Sequence, residues 1–206
     1  MDSIILSSNY FGTIPYYAAL VHSKSRTIDL GEKYVKQTQR NRTTILSANG
    51  KQVLSVPILK NSSGFSKECL MNEVRISYIE NWQKDHWKAI ESAYQHAPFF
   101  IHYADVFSKI ILTKYDLLIE LNFNILDAIL KIIDLEKPIF KSANCPIINS
   151  KKDLRITLNQ KEIDLPFQPY CQVFSNKYPF QTNLSIIDLI MNEGPNSRFY
   201  LNELSF

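Results

Sequence analysis

The chain has 206 residues, and its 23 Lys and Arg against 20 Asp and Glu leave a formal net charge of +3. A chain of this length fits one domain and buries on the order of 70% of its unfolded surface, so it needs no disulfide or metal to hold it together. With 45% hydrophobic and 21% charged residues the composition is globular, and the small basic excess argues against a dedicated nucleic-acid binder.

Ser3 to Ser7 is a short β-branched run and reads as the first strand. Gly12 and Pro15 break that pattern, and Ile14 to Val21 reads as a helix with Pro15 in its first turn, where a missing N–H costs nothing. Thr27 to Leu30 is a second strand. Lys33 to Arg42 is nearly devoid of apolar residues and reads as a loop or a ligand-facing segment. Asn49-Gly50 marks a hairpin turn between Thr44–Leu46 and Val53–Leu59, with Pro57 implying an edge position. Asn61 to Gly64 is loop.

Val74, Ile76 and Tyr78 alternate with polar residues, which is half-buried strand spacing. Trp82, His86, Ile90 and Tyr94 then recur at every fourth position behind a capping Asn81. Phe107 to Leu112 and Asp116 to Asp134 are further helices. The longest apolar stretch, Leu117 to Ile133, is interrupted by Glu120, Asn122, Asn124, Asp127 and Lys131, so it reads as a core helix and no membrane span is expected. Lys137–Ser142, Leu154–Leu158 and Gln172–Phe174 are short strand candidates. Ser185 to Met191 is the last helix, with Ser185 and Asp188 resembling a capping box and Gly194-Pro195 as its stop. The expected fold is one domain over 1–206 with a single mixed sheet and packed helices, α/β or α+β, strand order open.

Cys69, Cys145 and Cys171 are odd in number and lack a CxxC pair, which argues against a disulfide framework or a zinc site. Reduced thiols fit the cytosol, and Met1–Ser8 lacks the basic region and cleavage site of a signal peptide, so a cytoplasmic protein is expected.

Four ordered blocks carry a resemblance. They are Asn9-Tyr10-Phe11 with Pro15-Tyr16-Tyr17; Gln39-Arg40-Asn41-Arg42 with Asn49-Gly50 and Leu54-Ser55-Val56-Pro57; Val74-Arg75-Ile76 with Trp82, His86-Trp87, Ala93-Tyr94 and Pro98-Phe99-Phe100; and Pro179-Phe180 with Asn183 to Leu189 and Asn192-Glu193-Gly194. Together, over roughly Ile4 to Leu201, they resemble the WbqC-like family, named from O-antigen gene clusters. The resemblance implies work on a sugar or amide-type precursor of bacterial surface polysaccharide. No residue role is carried over from it. Leu6-Ser7-Ser8 stands where the family pattern often has His-Gln-Pro, so any role of that His or Gln is absent here or moved.

His86 is the leading candidate for general base, because histidine moves protons near neutral pH. Its helical neighbour Asp85 points about 100° away, so an orienting carboxylate has to come from elsewhere. Asp29 ends the second strand and could bring a catalytic carboxylate to the rim beyond the first strand, where Asn9 and Tyr10 lie, with a turn acceptor as the alternative. The bland alternative for His86 is a half-buried histidine beside two tryptophans. Lys33, Lys36, Arg40 and Arg42 offer cations to a phosphate, and Arg40-Asn41-Arg42 is the part that matches the family. A nucleotide sugar or a phosphopantetheine arm would suit them. Asn9, Tyr10, Tyr16 and Asn183 are candidate substrate-binding residues, the first three because ligands gather beyond the carboxyl ends of α/β strands. For Asn183 a turn role competes. No Walker or Gly-rich cradle, nucleophile motif or metal-binding His spacing occurs, and no cofactor is named.

Two functions stay open. One is acyl or aminoacyl transfer to the amine of a nucleotide-linked amino sugar. The other is a non-enzymatic accessory subunit that binds a glycosyltransferase, a carrier protein or a second copy of itself as a homo-oligomer, to which the 12 Phe, 11 Tyr and 2 Trp would lend surface.

Overall fold

The computed structural model describes residues 3–59, 69–135, 139–142, 152–160 and 163–204. In chain order its elements are β1 (Ser3–Leu6), α1 (Ile14–His22), β2 (Ser25–Asp29), β3 (Arg42–Ser47), β4 (Gly50–Ser55), α2 (Trp82–Tyr94), α3 (Phe100–Leu112), α4 (Leu118–Ile132), β5 (Ile139–Ser142), β6 (Lys152–Asp153), α5 (Ile186–Glu193) and α6 (Ser197–Glu203). The Asn61–Gly64 loop, Cys145 and the start of the Lys137–Ser142 strand lie outside the described residues.

Ile4, Ile5 and Leu6 are apolar in succession because β1 is buried on both faces. It pairs in parallel with β2 on one side and β6 on the other, and β2 pairs in parallel with β5. The order is β5-β2-β1-β6, so the direction of winding reverses between β1 and β6. Helix α1 carries the chain from β1 to β2. Ile14 to Val21 are all buried, as a helix covered on every side requires, and α1 packs on α5 and α6.

The α/β class therefore holds, but the strands form two sheets rather than one mixed sheet. Among the described residues the β3–β4 hairpin forms a sheet of its own, and it packs on α2 and α5. A two-residue turn closes antiparallel strands locally, whereas parallel strands need crossovers. That turn is Ala48-Asn49, with Gly50 at φ 97°, one position earlier than the Asn-Gly pair implies. Pro57 lies beyond β4, in the extended segment that follows it. The stretch Leu184–Ile186 ties the two parts together. Ser185 N–H donates to Thr44 O at 2.7 Å, and Ile186 N–H to Gly12 O at 3.1 Å.

Helix α2 buries Trp82, His86, Ile90 and Tyr94 on one stripe, and α4 buries Leu118, Leu121, Asn122, Ile125, Leu126 and Ile129. Asn81 precedes α2 without a side-chain cap bond. Three expected strands differ. Among the described residues Val74–Tyr78 makes isolated bridges in place of a ladder, Ile76 to Ile58 and Arg75 to Leu117. Leu154–Leu158 follows the two-residue β6 and enters a 3-10 turn at Thr157–Asn159. Gln172–Phe174 opens a turn, because the Gln172 amide is drawn to Asp188 and to the Gln181 backbone. Asp188 is not the partner of a capping box either. Ser185 Oγ alone caps α5, while the Asp188 carboxylate is buried and accepts from Tyr94, Tyr170 and Gln172. Burial pushes its pKa up.

Candidate functional site

The carboxyl ends of the parallel strands carry a linked set of polar side chains. Ser7, Ser8 and Asn9 follow β1, Asp29 ends β2 with Glu32 beyond it, and Arg155 and Asn159 follow β6. In an open α/β sheet the place where winding reverses is where a crevice forms. Here that place lies between the ends of β1 and β6.

Arg40 and Glu32 meet there as a two-pronged ion pair. Arg40 Nε donates to Glu32 Oε1 at 3.0 Å and Nη2 to Oε2 at 2.5 Å, with both side chains buried. Ser7 Oγ donates to the same Glu32 Oε2 at 3.1 Å, and Asn159 Nδ2 donates to Ser7 Oγ at 3.1 Å. Asn122 Nδ2 reaches Arg40 O at 3.0 Å and Ser8 Oγ at 3.2 Å. Asp29 ends its strand in a turn, accepting from Gly31 N–H at 2.9 Å, and it is ion-paired to Arg155. The hydrogen-bonded Asp153 carboxylate and the nearby Asp29 push the Arg155 pKa further up.

Beside this floor lies a cleft of about 270 Å³. Arg42, Thr44, Lys51 and Val53 of the hairpin form one wall. Gln37, Thr38 and Gln39 lead into it, and Asn159 and Asn183 also line it. Among the described residues no carboxylate lines the cleft. Arg42 Nε donates to Ser55 Oγ at 3.0 Å, and no described carboxylate pairs with its fork. Arg40 and Arg42 therefore differ: Glu32 occupies the guanidinium of Arg40, whereas that of Arg42 borders open space.

The other expected residues fall around this centre. Asn41 Nδ2 donates to Val56 O at 2.9 Å and fixes the start of the hairpin. Asn183, at φ 59°, exchanges two hydrogen bonds with the Ile163 backbone and also borders the cleft. Asn9 is buried with both polar side-chain atoms unpartnered. Tyr16 Oη donates to Ser7 O at 3.0 Å. Burial pushes the hydroxyl pKa of both Tyr10 and Tyr16 up.

His86 is buried on α2, the helix that packs on β3, and Asp29 bonds Gly31 and Arg155 instead. Its Nδ1 shares a 2.9 Å hydrogen bond with Tyr10 Oη, and Trp82 lies edge-on to the imidazole with ring centroids 5.1 Å apart. Tyr10 N–H donates to Gln39 O at 2.9 Å, and Ser55 holds Arg42. His86 is thus linked through Tyr10 to Gln39 at the cleft. Burial lowers its pKa from 6.5 to about 4, against weaker upward pulls from Ser55 and Asp85. Between those two values the unfolded chain binds a proton that the folded chain does not, so stability falls as pH drops from 6.5 toward 4. We expect wild type to lose about 2–3 kcal/mol more than His86→Gln between pH 7 and pH 4.5. Urea titrations at the two pH values measure this, and equal losses in the two proteins would refute the buried neutral imidazole.

Glu32, Lys51, Asn122 and Asn159 were not singled out by sequence reasoning. Glu32 lies shortly before a basic segment and offers a charge-pairing signal in retrospect, but Asn122 and Asn159 belong to no motif.

Fold and site together define an α/β protein with a cation-lined cleft beside the carboxyl edge of its parallel sheet. The chain belongs to the WbqC-like protein family, whose model matches residues 8–162. The fourth resemblance block, from Pro179 on, lies beyond that match. The chain is similar to a protein of Mycobacterium tuberculosis (strain ATCC 25618 / H37Rv) named Uncharacterized protein Rv1507c. The two are 26% identical over 160 residues, covering 76% of this chain and 67% of the relative. No solved structure matches the chain significantly. No helix among the described residues is long and apolar enough to cross a membrane.

Proposed function

We propose that the chain acts in the cytosol in the assembly of a bacterial surface-polysaccharide precursor, and that the cleft beside the hairpin binds a nucleotide-linked amino sugar by its phosphates. The reaction served would be acyl or aminoacyl transfer to the sugar amine. One observation carries the reading: Arg42 and Lys51 border a cleft that no described carboxylate lines, at the carboxyl edge of a parallel sheet. A guanidinium fork and an ammonium together suit a pyrophosphate. The walls beyond them are amides and hydroxyls, Gln39, Asn159, Asn183, Thr38 and Thr44, which suit the sugar. Arg40, held by Glu32, shapes this wall rather than touching phosphate. His86 enters as support for Gln39, through Tyr10. The family resemblance supplies the pathway.

A thermal-shift screen against nucleotide sugars, acyl-coenzyme A species and phosphopantetheine tests the reading. A nucleotide sugar at 100 times its dissociation constant adds about 2.7 kcal/mol of stability. We expect that shift with a nucleotide sugar and its loss in Arg42→Ala and Lys51→Ala, with circular dichroism unchanged. A shift that survives in the double variant would move the ligand elsewhere. No shift with any phosphate-bearing ligand would favour the accessory subunit, and pull-down of a partner protein or a second copy would follow.

A further inference from the structure

The hydrogen-bond chain under the cleft has a direction, and that direction determines what the cleft offers a ligand. Glu32, clamped by Arg40, accepts the hydroxyl proton of Ser7 at 3.1 Å. A serine hydroxyl has one proton, so Ser7 Oγ can only accept from Asn159. The Asn159 amide must therefore turn its Nδ2 toward Ser7, at 3.1 Å, and its second proton goes to Arg155 O at 2.7 Å. Both donors are then used, and Oδ1 is left buried with no donor facing it. Gln39, which is nine-tenths buried and borders the same cleft, also keeps its Oε1 without a donor. A buried acceptor left unpaired is costly, and a group of them beside a cleft calls for a ligand that brings the missing protons.

We propose that Asn159 is a specificity-determining residue of this cleft, held as a hydrogen-bond acceptor by the Arg155 carbonyl together with the relay Arg40–Glu32–Ser7, and that with Gln39 it reads hydroxyl donors on a sugar ring. Arg40, Glu32 and Ser7 are positioning residues that act through Asn159. The inference rests on the phosphate-binding reading of the cleft and adds to it the end of the ligand that is not phosphate. A site built to accept from hydroxyls discriminates against an analogue lacking them, because its own acceptors then stay unpaired.

The test compares α-D-glucose 1-phosphate with cyclohexyl phosphate, which carries the same phosphate monoester on a six-membered ring without hydroxyls. Dissociation constants are measured by titration calorimetry or ligand-detected NMR for wild type, Ser7→Ala, Asn159→Leu and Arg42→Ala, with circular dichroism confirming that each variant folds. We expect wild type to prefer glucose 1-phosphate by about tenfold. Asn159→Leu removes the acceptor and should bring the ratio near one while leaving cyclohexyl phosphate affinity in place, whereas Ser7→Ala keeps the Asn159 Nδ2 bond to the Arg155 carbonyl and should lower the ratio only in part. A ratio near one in wild type, or a preserved ratio in Asn159→Leu, overturns the role of Asn159. In that event, loss of both ligands in Arg42→Ala leaves the phosphate-binding reading standing. Failure of wild type to bind either ligand overturns both.

Discussion

Gly194→Ala is expected to cost about 4 kcal/mol, combining left-handed backbone strain with overpacking, and to lower Tm by roughly 8–16 °C. Gly194 ends α5 at φ 53°, and its N–H donates to Ile190 O. A Cβ there would lie 2.3 Å from Phe99 Cδ1 and 2.5 Å from Cγ and Cε1. The ring cannot simply withdraw, because Phe99 N–H donates to Met191 O at 3.0 Å on the same helix. Gly50→Ala is the internal control. Its φ is 97°, but the nearest atom, Tyr178 Oη, is 4.0 Å away, so only backbone strain of about 1–2 kcal/mol applies. Chemical denaturation of the two variants separates close approach from strain. Equal losses would show that Phe99 yields to the new methyl group and that the α5–Phe99 contact is loose.

The elements that could be read from the sequence are those whose pattern is local. β1, α1 and the buried stripe of α2 follow from runs and fourfold spacing. The hairpin and the end of α5 follow from Asn49-Gly50 and Gly194-Pro195. What could not be read depends on partners distant in sequence. Val74–Tyr78 has strand alternation, yet a ladder needs a neighbour, and here the neighbours are single bridges at Ile58 and Leu117. The division of the strands into two sheets has the same origin. At the site, the basic segment around Arg40-Asn41-Arg42 stood out by composition, but the difference between its two arginines is tertiary. Glu32 occupies one fork, and Ser55 holds only one nitrogen of the other. His86 was chosen for its chemistry, and burial among Tyr10, Trp82 and Ser55 was invisible without the fold. Asn159 carries no sequence signal, because its orientation comes from the Ser7 hydroxyl and the Arg155 carbonyl, which only the fold brings to it.

Glu32→Ala is expected to destabilise the protein by about 3–5 kcal/mol, since it strands the buried guanidinium of Arg40 without its counter-charge. The pair's side chains are only 6% and 7% exposed, so water cannot readily replace the lost carboxylate. Arg40→Ala strands Glu32 in turn, although Ser7 still donates to it. Removing both charges should cost less than the sum of the single changes, because each single variant carries the penalty of an unpaired ion that the double variant lacks. We therefore expect Arg40→Met with Glu32→Leu to be more stable than Glu32→Ala alone, by urea denaturation. The double variant should nevertheless lose part of its ligand discrimination, because nothing then fixes the Ser7 proton and the Arg155 carbonyl alone orients the Asn159 amide. Strictly additive losses in the two singles and the double would mean that the pair is open to solvent, and the relay beneath the cleft would lose its anchor.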